Sequence, residues 1–122
     1  IPEATMHSLI GNENGEFLIV EPGYRCEKVK KRYAVLTNFP VFTTLPDYTN
    51  AFYGKDRYDR ANAVLSRAGD DFSAEDALRL LYETKQEGKW GTRISFVWSQ
   101  NRNAVYYFPD GDLSRLETHT FK

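Results

Sequence analysis

The chain has 122 residues, and its 16 lysines and arginines against 17 aspartates and glutamates give a net charge of −1. This length suits one domain, and the charge balance argues against a nucleic-acid partner or a polybasic membrane patch. No apolar run approaches the roughly 20 residues that span a bilayer. The single cysteine, Cys26, excludes an internal disulfide and a cysteine-based metal cluster, and it leaves the cellular compartment open.

The first 32 residues predict a small antiparallel sheet. Apolar runs at residues 6–10 and 17–20 flank a segment rich in asparagine and glycine. This arrangement is typical of a β-hairpin, and Gly15 is expected to take the left-handed conformation in its turn. Residues 24–32 are strongly charged, and because lysines protect sheet edges we expect them at an exposed edge or in a loop.

Residues 33–42 (YAVLTNFPVF) form the central stretch of the chain. Aromatic and β-branched residues predict a buried strand over residues 33–36. Pro40 cannot donate to a sheet, so regular pairing is expected to end near Asn38. This places an amide side chain at the mouth of a strand, where it can serve a polar site. The alternative is a turn asparagine that bonds its own backbone.

Two helices are predicted in the middle of the chain. In the first, over residues 56–68, four apolar residues recur at spacings of three and four and form one stripe. They are Tyr58, Ala61, Leu65 and Ala68. Gly69 is expected to cap this helix, Ser73 is the predicted N-cap of the second, and Gly88 is expected to end the second. The predicted buried face of the second helix comprises Ala77, Leu78 and Leu81.

The last third of the chain predicts β-strands. Apolar residues between 94 and 98 alternate with polar ones, which is the period of a strand. They are Ile94, Phe96 and Trp98. Further strands are predicted over residues 104–108 and 114–121. The order of elements indicates an α+β fold with antiparallel sheets and helices on one side, formed by residues 1–122 as a single domain or as a fragment of a larger one.

Arg57 stands at the start of the first predicted helix, where the helix dipole disfavours a cation by a few tenths of a kcal/mol. A site that needs a fixed cation explains this position. The alternative is an ion pair with Asp56, Asp59 or an acidic loop residue. Cys26 has no histidine near it in the chain and is interpreted as structural or incidental.

The remaining residues give no sign of a cofactor. His7 and His119 lie at opposite ends of the chain without acids at ligand spacing, so no metal site is predicted. The sequence contains neither a glycine-rich phosphate loop nor a Gly-x-Ser-x-Gly elbow. We therefore expect no metal and no cofactor.

Several segments together resemble one family. They are residues 7–21 (HSLIGNENGEFLIVE), 35–42 (VLTNFPVF), 56–61 (DRYDRA), 92–97 (TRISFV) and 104–108 (AVYYF). In order and spacing they are similar to segments of the choloylglycine hydrolase and penicillin V acylase family, over nearly all of the chain. The related acyl-coenzyme A:6-aminopenicillanate acyltransferases share much of this layout.

The resemblance implies an N-terminal-nucleophile hydrolase of linear amides, with an αββα sandwich. In that family an N-terminal cysteine attacks the amide carbonyl, and its own α-amino group is the base. The resemblance implies that Asn38 helps to hold the oxyanion and that Arg57 belongs to the active-site cluster. Bile salts, penicillins and acyl-homoserine lactones are all suitable substrates for the group, and residues 43–54 are a candidate for the acyl pocket.

Ile1 has no nucleophilic side chain, so we expect this chain to be the C-terminal part of such an enzyme and to be inactive alone. Its unpaired sheet edges predict association with the remaining part of the same protein, with another chain or with a second copy. Two alternatives stay open. One is a non-catalytic binding or assembly module that keeps the fold, and the other is acyl transfer to an amine instead of water.

Overall fold

The computed structural model describes residues 7–21, 25–38 and 54–122. The chain forms two compact units, Ile1–Ser66 and Arg67–Lys122. The described residues contain two α-helices and two antiparallel sheets of three strands each. The predicted α+β class with antiparallel sheets is therefore confirmed. Neither of the two helices in these ranges is long and apolar enough to cross a membrane.

The sheet of the first unit consists of β1 (Ser8–Gly11), β2 (Glu16–Glu21) and β3 (Arg25–Lys30), in that order. Gly15 lies in the β1–β2 turn with a φ of 74°, which confirms the predicted hairpin and its left-handed glycine. β3 is an edge strand, as its charge predicts, and its residues 26–30 alternate between exposed and half-buried. Cys26 is exposed on this strand.

The predicted buried strand over residues 33–36 is wrong. These residues are half-buried, and they take part in neither sheet. The reason is physical: aromatic and β-branched residues favour extended chain, but a strand also needs a partner for its backbone hydrogen bonds. Among the described residues, none forms a ladder with this segment. The predicted turn at Pro40 lies outside the described residues.

Helix α1 (Lys55–Arg67) agrees closely with its prediction. Ala61, in the middle of the apolar stripe, is buried, and the other three residues of the stripe are half-buried. The N–H of Tyr58 donates to the carbonyl of Gly54 at 3.0 Å, so Gly54 provides the first acceptor of the helix. Gly69 has no positive φ, and the predicted left-handed glycine cap is therefore not formed.

Helix α2 (Ala74–Glu83) begins with a complete capping box. The Ser73 hydroxyl accepts from the N–H of Asp76 at 3.2 Å, and the Asp76 carboxylate accepts from the N–H of Ser73 at 2.9 Å. This confirms Ser73 as the N-cap. The helix ends at Glu83 rather than at Gly88, because Thr84 forms the C-cap. Its buried residues are Leu78 and Leu80, and Ala77 and Leu81 are half-buried.

The sheet of the second unit consists of β4 (Ile94–Ser99), β5 (Ala104–Pro109) and β6 (Glu117–Thr120). β6 is shorter than the predicted strand over residues 114–121, because a 3₁₀ turn occupies Leu113–Arg115. Asp112 caps this turn by accepting from the N–H of Ser114 at 3.0 Å. The predicted strand order is otherwise retained.

The two faces of this second sheet differ in burial. Helix α2 packs against β4, and Ser95, Ala104 and Phe108 are buried. Three of the four apolar residues of β4 lie on the opposite face: Ile94 is 52% exposed, Phe96 64% and Trp98 49%. Their cross-strand partners on β5 are Pro109, Tyr107 and Val105. The alternation predicts the strand correctly, but its apolar face is not the covered one.

Candidate functional site

The two site residues predicted from the sequence both lie in the first unit, where residues 37–38 meet the start of α1. The hydroxyl of Thr37 donates to the carbonyl of Gly54 at 2.9 Å. The same carbonyl accepts the N–H of Tyr58 in the first turn of the helix. One carbonyl group thus anchors both the segment that carries Asn38 and the helix that carries Arg57.

Gly54 leaves space between Asn38 and Arg57 that a side chain would partly fill. Its φ is 83°, and a Cβ placed on it would lie 2.7 Å from Arg57 Nη2 and 3.2 Å from the main-chain nitrogen of Asn38. These two nitrogen atoms are therefore separated by no more than the sum of the two distances. The structure brings Asn38 and Arg57 together, and it adds Gly54 as the residue between them.

The guanidinium of Arg57 is half-buried and carries unused donors. Within residues 7–21, 25–38 and 54–122, its side chain forms no hydrogen bond and no ion pair. Asp59, one of its predicted alternative partners, pairs instead with Lys55. The ion-pair explanation for Arg57 therefore has no support in the described part of the chain. The planar guanidinium of Arg57 can therefore donate its N–H groups to a ligand.

Asn38 also has unused donors. Its side chain is exposed, and neither its side chain nor its main-chain N–H is hydrogen-bonded within the described ranges. The alternative of a turn asparagine that bonds its own backbone is therefore not observed. Within residues 7–21, 25–38 and 54–122, both the side-chain amide and the main-chain N–H are thus available to a further acceptor.

His7 joins this site through its ring. Its Nδ1 lies 2.8 Å from the carbonyl oxygen of Thr37. A carbonyl oxygen can only accept, so Nδ1 carries the proton and Nε2 is left as the second ring position. Sequence reasoning considered His7 only as a metal ligand, since nothing in the sequence connects it to a residue 30 positions away.

A cleft of about 420 Å³ lies beside the site, between β2, residues 31–35 and α1. Apolar and aromatic side chains form part of its wall. Two basic side chains and one amide side chain complete the lining. The lining residues are Ile19, Lys31, Arg32, Tyr33, Ala34, Val35, Tyr58 and Asn62. Its volume is in the range of small-molecule pockets. Residues 43–53 of the predicted acyl-pocket loop lie outside the described residues.

The other candidate groups from the sequence are Cys26 and His119. Cys26 is exposed on β3, and the residues that the structure describes contain no group of three or more side chains that could hold a metal ion. His119 lies in the second unit, with its ring 4.7 Å from the ring of Phe121.

The clearest pKa shifts belong to surface pairs of the second unit. Arg102 forms two hydrogen bonds with Glu75, of 2.7 and 3.1 Å, and lowers the pKa of that carboxyl to about 2. The hydrogen bond from Tyr107 to Glu117 raises the pKa of the tyrosine. These pairs are exposed and join neighbouring elements, so they are structural rather than catalytic.

Comparison with models of protein families, with curated proteins and with solved structures finds no match for this chain. No relative therefore assigns a role to Asn38, Gly54 or Arg57. What the residues themselves offer is a set of unused hydrogen-bond donors around a glycine. Such a geometry suits an oxygen atom that carries negative charge.

Proposed function

We propose that residues 1–122 belong to an amidase of the N-terminal-nucleophile class, which hydrolyses linear amide carbon–nitrogen bonds. In this proposal the side-chain amide of Asn38 donates to the oxyanion, and Arg57 is the cation of the active-site cluster. The observation that carries it is that the Arg57 guanidinium and the main chain of Asn38 both lie close to Gly54. The sequence segments that resemble choloylglycine hydrolases and penicillin V acylases support it independently.

The donors suit the charge that develops in amide hydrolysis. When a nucleophile attacks the carbonyl carbon, the carbonyl oxygen becomes an anion. Donors already in place stabilise this anion, because no reorganisation is needed during the reaction. The unpaired guanidinium of Arg57 adds positive charge at a half-buried position, where water screens it less than at the surface.

The proposed reaction proceeds in two stages. The thiolate of an N-terminal cysteine, supplied by a segment outside residues 1–122, bonds to the carbonyl carbon. The carbon–nitrogen bond then breaks, and the amine leaves with the proton that the cysteine α-amino group received. Water next hydrolyses the thioester to a carboxylic acid and restores the thiol. This sequence uses no cofactor, and residues 1–122 alone are expected to be inactive.

We also propose that the second unit contributes to an αββα sandwich. Its sheet has helix α2 on one face and exposed apolar residues on the other. Helix α2 and this sheet are two adjacent layers of such a sandwich. A second sheet would cover the exposed apolar face. The proposed source of that sheet is the remaining part of the same protein or another chain.

The test of the oxyanion role is Asn38→Ala in the complete protein, with hydrolysis of a chromogenic amide as the readout. Loss of such a donor is expected to lower kcat roughly 10²–10³-fold. Asn101→Ala, at an exposed position in the turn after β4, is the matched control and should leave kcat unchanged. A decrease below about tenfold for Asn38→Ala contradicts the role.

The role of Arg57 is tested by Arg57→Lys, which keeps the charge and removes the planar fork. A loss of activity is expected, since a lysine cannot place two N–H groups in one plane. Arg60→Lys, one turn further along α1 at an exposed position, is the control. Equal activities of the two variants would show that a general positive charge suffices and would contradict a positioned guanidinium.

The exposed apolar face of β4 also favours a second candidate, a non-catalytic assembly module. The genomic reading frame separates the two. Continuation upstream to a cysteine that maturation would expose supports the amidase, and an initiator methionine directly before Ile1 contradicts it. Acyl transfer differs only in the acceptor, so adding an amine to the amide assay and measuring a new amide product tests it.

A further inference from the structure

We infer that His7 and Thr37 are positioning residues of the proposed site, which hold Asn38 close to the guanidinium of Arg57. Their effect on catalysis rests on the proposed function, whereas their geometry does not. All of these residues belong to the first unit. Neither His7 nor Thr37 is placed in contact with a substrate.

The first link runs from the sheet to residue 37. His7 directly precedes β1, which pairs with β2 from Ser8 to Gly11. The hydrogen bond of 2.8 Å from Nδ1 of His7 to the carbonyl of Thr37 ties the next segment to this sheet. Because residues 33–36 have no ladder partner among the described residues, this bond replaces the anchoring that a sheet would provide.

The second link runs from residue 37 to the helix. The Thr37 hydroxyl donates to the carbonyl of Gly54 at 2.9 Å, and that carbonyl is the first acceptor of α1. Thr37 is therefore held to the sheet by its carbonyl group and to the helix by its hydroxyl group. Asn38 follows it directly, so the direction of the Asn38 N–H is determined by both bonds.

Gly54 completes the arrangement by leaving space. A Cβ on this residue would lie 3.1 Å from the Thr37 hydroxyl oxygen, in addition to its close approach to Arg57 and Asn38. The same missing side chain thus leaves room for the hydroxyl bond, for the Arg57 guanidinium and for the main chain of Asn38. This common dependence is why we assign the bonds a positioning role.

The geometry is tested by ¹⁵N NMR of the two histidines in the 122-residue chain. Neutral His7 is expected to carry its proton on Nδ1, and exposed His119 serves as the internal control for the ordinary tautomer mixture. In the Thr37→Val variant the ¹⁵N chemical shifts of the His7 ring should move towards those of His119. In Thr37→Ser they should keep their wild-type values. A wild-type His7 protonated on Nε2 overturns the inference.

The catalytic consequence is tested in the complete protein with the chromogenic amide. Thr37→Val is expected to lower kcat at least about tenfold with KM changed less than about twofold, because the donors move while the binding surface remains. Thr37→Ser should restore most of the activity. Thr84→Val, which removes a hydroxyl that donates to the carbonyl of Leu80 in α2, is the control for stability alone.

The outcomes separate the inference from the proposed function. If His7 has the expected tautomer but Asn38→Ala does not slow hydrolysis, the proposed function fails and the positioning bonds stand. If Asn38→Ala slows hydrolysis but Thr37→Val does not, the function stands and the inference is overturned. A Thr37→Val enzyme that loses activity only in proportion to its folded fraction also overturns the inference.

Discussion

The guanidinium of Arg57 lies directly beside Gly54: a Cβ on the glycine would be 2.7 Å from Nη2 of the arginine. The two residues are three positions apart in sequence, across the first turn of α1. The arginine therefore folds back over the start of its own helix instead of extending into solvent. The main-chain nitrogen of Asn38 lies beside the same turn. The conformation of Gly54 therefore determines how close Asn38 and the Arg57 guanidinium can lie.

Gly54→Ala is expected to lower both stability and amide hydrolysis. A left-handed alanine costs about 1–2 kcal/mol, and the crowding against Arg57 and Asn38 adds to it. Gly88→Ala is a matched control, because Gly88 has a φ of 81° but a Cβ there would meet nothing within 4 Å. Denaturant unfolding should show a larger loss for Gly54→Ala, with kcat reduced only in that variant. Equal losses would mean that crowding at Gly54 is unimportant.

Ser73→Ala is expected to destabilise the second unit by about 1 kcal/mol, because it removes the side-chain half of the capping box. The two hydrogen bonds from Ser73 also lower the pKa of Asp76, so that pKa should rise in the variant. Thermal unfolding and NMR titration measure the two effects. Ser66→Ala, an exposed serine of α1, is the control. An unchanged unfolding free energy for Ser73→Ala would contradict the cap.

The stability of the second unit should fall as the pH drops from about 4.5 to about 2, through the range between the ordinary and the folded pKa of Glu75. Arg102 lowers that pKa, so the unfolded chain binds more protons and acid favours it. Asp76 and Asp112 have lowered pKa values and act in the same direction. Glu75→Gln should flatten the pH dependence, and high salt should weaken it because the pair is exposed. If the unfolding free energy of Glu75→Gln depends on pH as strongly as that of the wild type, Glu75 is not the group responsible.

Trp98 reports whether the open face of the second sheet becomes covered. It is 49% exposed, and its ring lies 5.1 Å from that of Phe121. In a Trp90→Phe background, which removes the other tryptophan, the emission of Trp98 should be red-shifted in the 122-residue chain. It should move to shorter wavelength in the complete protein. An identical spectrum in both would contradict the proposed sandwich. Trp98→Phe, which leaves only Trp90, gives the reference for a tryptophan outside this face.

Features set by neighbouring residues can be predicted from this sequence. The cap of α2 needs only Ser73 and Asp76, which are three positions apart, and the left-handed Gly15 needs only its own turn. Helix α1 follows from the spacing of its apolar stripe. In each of these cases the residues that determine the structure lie within one or two turns of each other.

Features set by distant partners cannot be predicted in this way. Residues 33–36 have the composition of a strand, but composition does not provide the second strand. Alternation shows that Phe96 and Trp98 share a face, and it does not show which face is covered. The role of Gly54 depends on Thr37, which is 17 positions away. Asn38 and Arg57 could be predicted from the sequence. Gly54, which lies between them, and His7, which bonds the carbonyl of Thr37, could not.

The carbonyl of Gly54 accepts two hydrogen bonds, one from the hydroxyl of Thr37 and one from the amide of Tyr58. Any movement that pulls residue 37 away also changes the first turn of the helix. The exchange of one amide proton with deuterium, that of Tyr58, consequently reports whether residue 37 stays attached to the start of the helix, and it can be followed without knowing the natural substrate.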